Sequence, residues 1–236
     1  MAKDGVPPNI ELTPENGEVR EISLVTARNI ILKYEWLGCM PAISRYCYGL
    51  YFSRKEFGCI QSMGHLASVV VYGDEYSENL GHWDRFGFTG KMLLLARGAS
   101  VWWSPPFVAS MLIRKSMKLL PPKYEVITAT VDELAGEIGT VYQAAGFYYI
   151  GSMRENMGLS TERFGVIIDG KLYNSRSIRQ KIGNQRKTEI LKRYPNAQFV
   201  TLKTKKRYFA FRGSRKVQKK HFEVIESLIK SYPKRL

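Results

Sequence analysis

Cysteine is nearly missing, with three in 236 residues, at positions 39, 47 and 59. An odd number without paired metal-ligand spacing excludes a disulfide framework and argues against a zinc site. The three are read as reduced, mostly buried thiols. Histidine is equally scarce: His65, His82 and His221 are scattered. His82-Trp83-Asp84 resembles half a metal site, but no second histidine lies at helical or hairpin spacing, and no metal is expected. Long apolar runs are absent as well. Leu66 to Tyr72 and Met92 to Ala96 fall far short of the roughly 20 residues that cross a bilayer. The amino terminus also lacks the apolar stretch of a signal peptide. A soluble cytoplasmic protein with no membrane partner is expected. Acid is missing from one region only: the last 66 residues hold 3 of the 21 Asp and Glu but 20 of the 36 Lys and Arg.

What is present suffices for a core. Hydrophobic residues make up 44% and aromatics 12%, enough for one large domain or a domain with an appendage. The cationic segment is patterned rather than low-complexity, with Leu191, Tyr194, Phe199, Tyr208, Phe209, Phe211 and Phe222 set among its basic residues. A folded segment that repels itself this strongly is stabilised by a polyanion, and nucleic acid is preferred over a membrane surface. The expected phosphate contacts are Lys181, Arg186, Lys187, Lys205, Lys206, Arg207, Arg215 and Lys216. No base-reading helix motif is evident, so positioning on the backbone is expected rather than sequence readout.

Along the chain, residues 1–22 read as a loose lead-in because of Pro7, Pro8 and Pro14. Residues 23–170 read as the catalytic core and 171–236 as a basic extension packed on it. Apolar spacing from Leu24 to Leu37 predicts a helix behind a Ser23 cap, ended by Gly38. Strands are predicted at Arg45–Ser53, Gly58–Ser62 and Ala67–Tyr72, followed by a long loop over residues 73–91. Lys91–Ser100 reads as a buried strand. A helix then opens at Pro105-Pro106 and runs to Leu120. A strand at Tyr124–Thr130, a helix at Gly136–Ala145 with Gly146 as its left-handed cap, and a strand at Phe147–Met153 complete an α/β unit. The extension is expected to form a hairpin at Val166–Tyr173, a helix after Ser175, a second hairpin of Ala197–Leu202 with Arg207–Arg212, and a last helix from Lys216. The fold class is α/β, with a mixed sheet and flanking helices.

The chemistry concentrates between Thr128 and Gly151. Asp132 sits just past a strand, at the edge where open α/β sheets place ligands. It reads as a general base or as a cap for the following helix, with Glu133 and Glu137 as solvated neighbours. Ser110 can hydrogen-bond a substrate carbonyl or simply pack. Arg97, ending an apolar strand, needs an anionic or carbonyl partner. Trp102-Trp103 and Tyr148-Tyr149 offer stacking surfaces for an extruded base, though such pairs equally build cores.

Val141-Tyr142-x-x-x-Gly146-Phe147 resembles the helix-to-strand signature of the GNAT acyltransferase superfamily, which implies a splayed sheet holding an acyl donor between two parallel strands. It also implies Tyr142 as general acid toward the leaving group. Leu95-Ala-Arg97-Gly-Ala, Ser110, Asp132 and Gly139-Thr-Val-Tyr142-Gln143-Ala-Ala together resemble the Mom family of phage DNA modification proteins. That resemblance implies conversion of adenine in double-stranded DNA to N6-carbamoylmethyladenine inside the host bacterium, protecting phage DNA from restriction. It implies Asp132, Tyr142 and Ser110 as catalytic residues, and Arg97, Trp102, Trp103, Gln143 and Tyr149 as substrate-binding. A non-enzymatic DNA-binding protein with the same core, and an acetyltransferase on another substrate, are the alternative readings.

The donor is a separate question. GNAT members that use acetyl-coenzyme A hold its pyrophosphate on backbone amides after the central strand. Here that stretch reads Arg97-Gly-Ala-Ser-Val-Trp-Trp-Ser-Pro-Pro, and proline has no amide hydrogen. The implied product also needs a nitrogen beside its two carbons. An activated glycyl group, carried for instance by glycyl-tRNA, supplies both; acetyl-coenzyme A is the alternative.

Overall fold

The computed structural model describes residues 12–52, 64–75, 83–133, 136–156, 162–184 and 186–234. The strand expected at Gly58–Ser62, Cys59 and His82 lie outside them. The lead-in is not loose throughout. Gly17–Glu21 forms β1, which pairs antiparallel along its whole length with β2, Tyr46–Phe52. A Cβ at Gly17 would meet the tip of the Met111 side chain at 2.5 Å, which would have to move aside.

Helix α1, Leu24–Tyr34, starts where Ser23 Oγ accepts from Thr26 N at 3.1 Å, as the cap pattern predicts. It stops one turn before the predicted end. Glu35 turns extended, and Gly38 takes a left-handed φ of 54° that a side chain would strain. Trp36 and Leu37 therefore lie beyond the helix.

His65–Gly73 is β3 and Met92–Ser100 is β4. Helix α2, Val108–Leu119, turns Val108, Met111, Leu112 and Ile113 into the core. Each such burial contributes roughly 1.5–3 kcal/mol. Then come β5 (Val126–Val131), α3 (Thr140–Ala144), β6 (Tyr148–Gly151) and the single turn α4 (Met153–Asn156). Gly146 is left-handed after α3, as expected.

The basic segment is divided between two places. β7 (Glu162–Ile168) and β8 (Lys171–Asn174) form the predicted hairpin through the left-handed pair Asp169-Gly170. Together with β9 (Gln198–Lys203) they make a small sheet, ordered β8-β7-β9. Helices α5 (Ser175–Ile182) and α6 (Lys187–Arg193) cover it through Ile178, Ile182 and Ile190.

The second predicted hairpin does not form. β10, Lys206–Phe211, leaves β9 and enters the large sheet, whose order is β1-β2-β3-β4-β5-β10-β6. The reason is in the side chains. Tyr208, Phe209 and Ala210 are buried in succession, so β10 needs cover on both faces, whereas β9 is largely exposed. The core therefore includes part of the segment read as an extension. Helix α7, Arg215–Ile225, capped by Ser214, returns across the sheet and buries His221 and Ile225. Among the described residues no helix is long and apolar enough to cross a membrane.

Candidate active site at the splayed strand ends

β4 and β5 are the parallel pair of the large sheet, and they part company halfway. Met92–Leu95 pair with Val126–Ala129; beyond that, Arg97–Ser100 pair only with β3, and Thr130 and Val131 only with β10. The strands open into a V at their carboxyl ends. A cavity of about 150 Å³ lies at the opening, lined by Leu95, Gly98, Ala109, Leu112, Val141 and Tyr142 among others.

Tyr142 comes to this mouth because Gly139, with φ 77°, starts α3 directly against the ring of Tyr208. A Cβ on Gly139 would meet that ring at 2.6 Å. Tyr208 of β10 is the hub. Its ring lies 5.5 Å from Tyr142 and 5.0 Å from Tyr149, and its hydroxyl donates to Ile138 O at 2.5 Å. Burial pushes the Tyr142 phenol well above its ordinary value; Glu137 adds to the shift and Arg97 opposes it. The phenol therefore keeps its proton at neutral pH and can donate it. Tyr149, read as substrate-binding, is instead buried against Tyr208, its phenol pushed up to about 12 by burial. Gln143, read likewise, donates to Ile138 O at 3.2 Å and to the Tyr208 hydroxyl at 3.2 Å. Both hold the hub.

The carboxylates gather on the β5 side. Asp132 follows β5 and lies 3.5 Å from Lys205 Nζ, a cation expected on DNA. Its backbone N–H donates to Glu137 Oε2 at 2.8 Å, while Glu137 Oε1 accepts from the Trp36 indole N–H at 2.8 Å. On the β4 side, Arg97 donates through Nε to Cys39 O at 2.9 Å and through Nη1 to Ala96 O at 2.7 Å. Its carbonyl partner is thus the chain's own backbone. The turn from Glu35 to Cys39 bridges both arms of the V. It is closed by Gly38 N donating to Glu35 Oε2 at 3.0 Å. Burial raises the Glu35 carboxyl above its usual range, with Arg97 opposing.

Sequence reasoning missed Glu35, Trp36, Glu137 and Tyr208. Glu137, five residues from Asp132, was readable as a solvated neighbour, and Trp36 as a helical residue. The signal for Tyr208 was present, since an apolar run inside a basic segment marks a central strand.

Ser110 is not brought to the mouth: its hydroxyl donates to Phe107 O at 3.0 Å within α2, while Ala109, Leu112 and Ile113 line the cavity. Trp103 packs against the core and Trp102 is exposed. The loop between β4 and α2 does not fit a pyrophosphate cradle. Pro105 and Pro106 lack amides, and Val108 N donates to Pro105 O at 3.1 Å. Among the described residues, no three His, Cys, Asp or Glu side chains gather as a metal site.

The cations expected on nucleic acid divide likewise. Arg207 is corrected. Its guanidinium lies 2.8 Å from Glu75 and 3.0 Å from Thr128 Oγ1, over the ring of Trp83, and is 15% exposed. Glu75 and the Trp83 ring receive this side chain on the face of the sheet, so it packs there rather than reaching into solvent. Lys206 is half-buried. Lys181, Arg186, Lys187, Arg215 and Lys216 remain exposed. Lys181 lies over Tyr173 and Tyr194, and Lys187 over Phe199.

The sheet order, the splayed parallel pair and the tyrosine at their mouth define a mixed α/β protein of GNAT-like architecture. The model of the Mom protein family matches residues 16–234, and the chain belongs to that family. Solved structures that it resembles include a protein proposed to be a phosphinothricin N-acetyltransferase, at 11% identity and TM-score 0.43, covering 84% of this chain and 99% of that one. An IAA acetyltransferase from Bacillus cereus is 9% identical at TM-score 0.40, covering 83% and 99%. A Bacillus subtilis acetyltransferase in complex with CoA is 12% identical at TM-score 0.37, covering 84% and 99%. Among curated proteins there is no match.

Proposed function

We propose that the chain is a transferase that converts adenine in phage DNA to N6-carbamoylmethyladenine, shielding the DNA from restriction in the host cytoplasm. The observation that carries this reading is Tyr142, a protonated phenol lining the small cavity at the opening of the sheet, its pKa raised by burial and then by the charge of Glu137, which is itself bound to the backbone N–H of Asp132. Adenine N6 is a weak nucleophile because its lone pair is delocalised into the ring. A carboxylate that takes its proton as the new bond forms supplies roughly 10²- to 10⁴-fold in rate. Asp132 has that role, with the Lys205 ammonium 3.5 Å from its carboxylate. Tyr142 protonates the departing group.

An activated glycyl ester is the favoured donor, with glycyl-tRNA as one source, and the proline-interrupted loop argues against acetyl-coenzyme A. N6 attacks the glycyl carbonyl and the carrier oxygen leaves with a proton. The glycyl amine then attacks ring carbon 6 through a five-membered spiro intermediate, and the original C6–N6 bond breaks. The glycine nitrogen ends on the ring, and the former N6 becomes the terminal amide. Atoms balance without a further reactant.

The test is mass spectrometry of nucleosides from plasmid DNA in cells expressing the chain. A deoxyadenosine carrying a carbamoylmethyl group is expected. Tyr142→Phe and Asp132→Asn should fold, and each should lose about 10²-fold or more of the modification. Unmodified DNA from cells with abundant, DNA-binding protein would favour the non-enzymatic alternative. Nitrogen-labelled glycine that left no label on the exocyclic nitrogen bonded to ring carbon 6 would exclude the rearrangement.

A further inference from the structure

The four tryptophans occupy different settings. Trp83 is buried and Trp103 half-buried, while Trp36 and Trp102 are 57% and 43% exposed. Of the two exposed rings, only Trp36 is fixed in orientation, by its indole N–H on Glu137 Oε1 at 2.8 Å. Trp102 carries no such anchor among the described residues. Glu137 is itself held, because its other oxygen accepts from Asp132 N. The turn bearing Trp36 is tied to the opposite arm of the V through Cys39 O and Arg97. A large apolar face is thus presented to solvent, clamped at both ends across the opening where the acid and base stand. Folding gains little from such an arrangement, since the ring buries less than half its surface. A planar ligand gains a rigid platform.

We propose that Trp36 is the stacking platform for a single adenine swung out of the duplex, with Glu137 as the positioning residue that fixes the indole plane. This rests on the reading of the site as one that modifies adenine in DNA. The chemistry agrees: every base offers a π-face to an indole, so the platform holds the base without reading its edge. The edge stays free to meet Asp132. The same carboxylate, Glu137, touches both the platform and the backbone N–H of Asp132, so a ring lying on Trp36 is held beside the Asp132–Glu137 turn. Among the aromatics that the sequence suggested for this role, Tyr149 is buried on Tyr208, and Tyr148 packs on Phe222 at 5.1 Å between ring centres.

The experiment measures binding of the full-length protein to two duplexes that differ at one position. One carries a mispaired adenine, the other an abasic site. The wild type is expected to prefer the adenine duplex by roughly 5- to 150-fold, which is the 1 to 3 kcal/mol of one stacked base. Trp36→Ala should remove that preference and leave affinity for the abasic duplex unchanged, since phosphate contacts set the latter. Trp36→Phe should keep part of it, and Glu137→Ala should reduce it with the ring still present. Exposure makes the Trp36 variants safe for folding, and a thermal melt checks this. A preference that survives in Trp36→Ala overturns the platform and leaves the adenine reading standing. A wild type that binds both duplexes equally overturns the platform. Equal binding by protein that nonetheless modifies DNA in cells would confine the failure to the platform.

Discussion

The cations of residues 171–236 fall into two sets with opposite fates. In and just after β10, Arg207 and Arg212 face inward, while the lysines and the arginine of α7 stay exposed and only its His221 is buried. Arg207 is paired with Glu75, which is 4% exposed. Arg212 donates to the carbonyls of Leu120, Pro121 and Tyr124, closing the end of α2, and His221 sits 2.8 Å from Glu125. In the small sheet and its helices, Arg179, Arg186, Lys187 and Lys192 stand in solvent. The same charge count thus has two outcomes: one set locks the sheet, the other stays exposed. Counting charge along a chain locates neither.

The largest test of that division is Arg207→Ala. It takes the ion pair from a buried carboxylate and should cost about 3–5 kcal/mol. A thermal melt should show a fall of about 10 °C. Recovery of most of it in Arg207→Met with Glu75→Leu would mark the loss as electrostatic rather than steric. Next is Arg212→Ala, which strips three carbonyls of a charged donor and should cost about 2 kcal/mol by denaturant titration; an unchanged midpoint would mean that water replaces the guanidinium without loss. A smaller effect is set by pH. His221 first, then Lys91, holds the Glu125 carboxyl below its ordinary 4.5. The folded state therefore binds fewer protons than the unfolded state around that pH. The contribution is present above about pH 4.5 and fades as pH falls through the lower folded value. In Glu125→Gln that part of the acid limb of the stability curve should flatten. The smallest stability effect belongs to Arg179→Gln, Arg186→Gln and Lys187→Gln, expected within about 0.5 kcal/mol each. On DNA, each lost phosphate contact should flatten the log–log salt slope by about 0.9. If Arg207→Met with Glu75→Leu, folded, flattened it as much, the division into two sets would be wrong.

Legibility in the sequence followed locality. The α1 and α2 starts, the Asp169-Gly170 hairpin and the Gly146 cap each rest on a few neighbouring residues, and each was readable. β1 was hidden behind prolines, because nothing local says that Gly17–Glu21 lies beside Tyr48–Phe52. β10 was seen as a strand but given the wrong partner, since adjacency along the chain favours β9 and only burial on both faces favours β5 and β6. At the site, Tyr142 and Asp132 were legible from one stretch of sequence. The clamp around them was not: Trp36 meets Glu137 across 101 positions and Arg97 meets Cys39 O across 58. Side chains that orient others carry no spacing rule.

The position of β10 also sets an order of events in time. A chain is made from its amino terminus, and β5 is finished about 75 residues before its neighbour β10 exists. Until residues 206–211 emerge, β5 presents a bare edge, β6 has nothing to join, and Tyr208 is not there to seat Tyr142. The growing polypeptide therefore carries every residue of the opening long before it can assemble one. The opening is thus completed late and all at once.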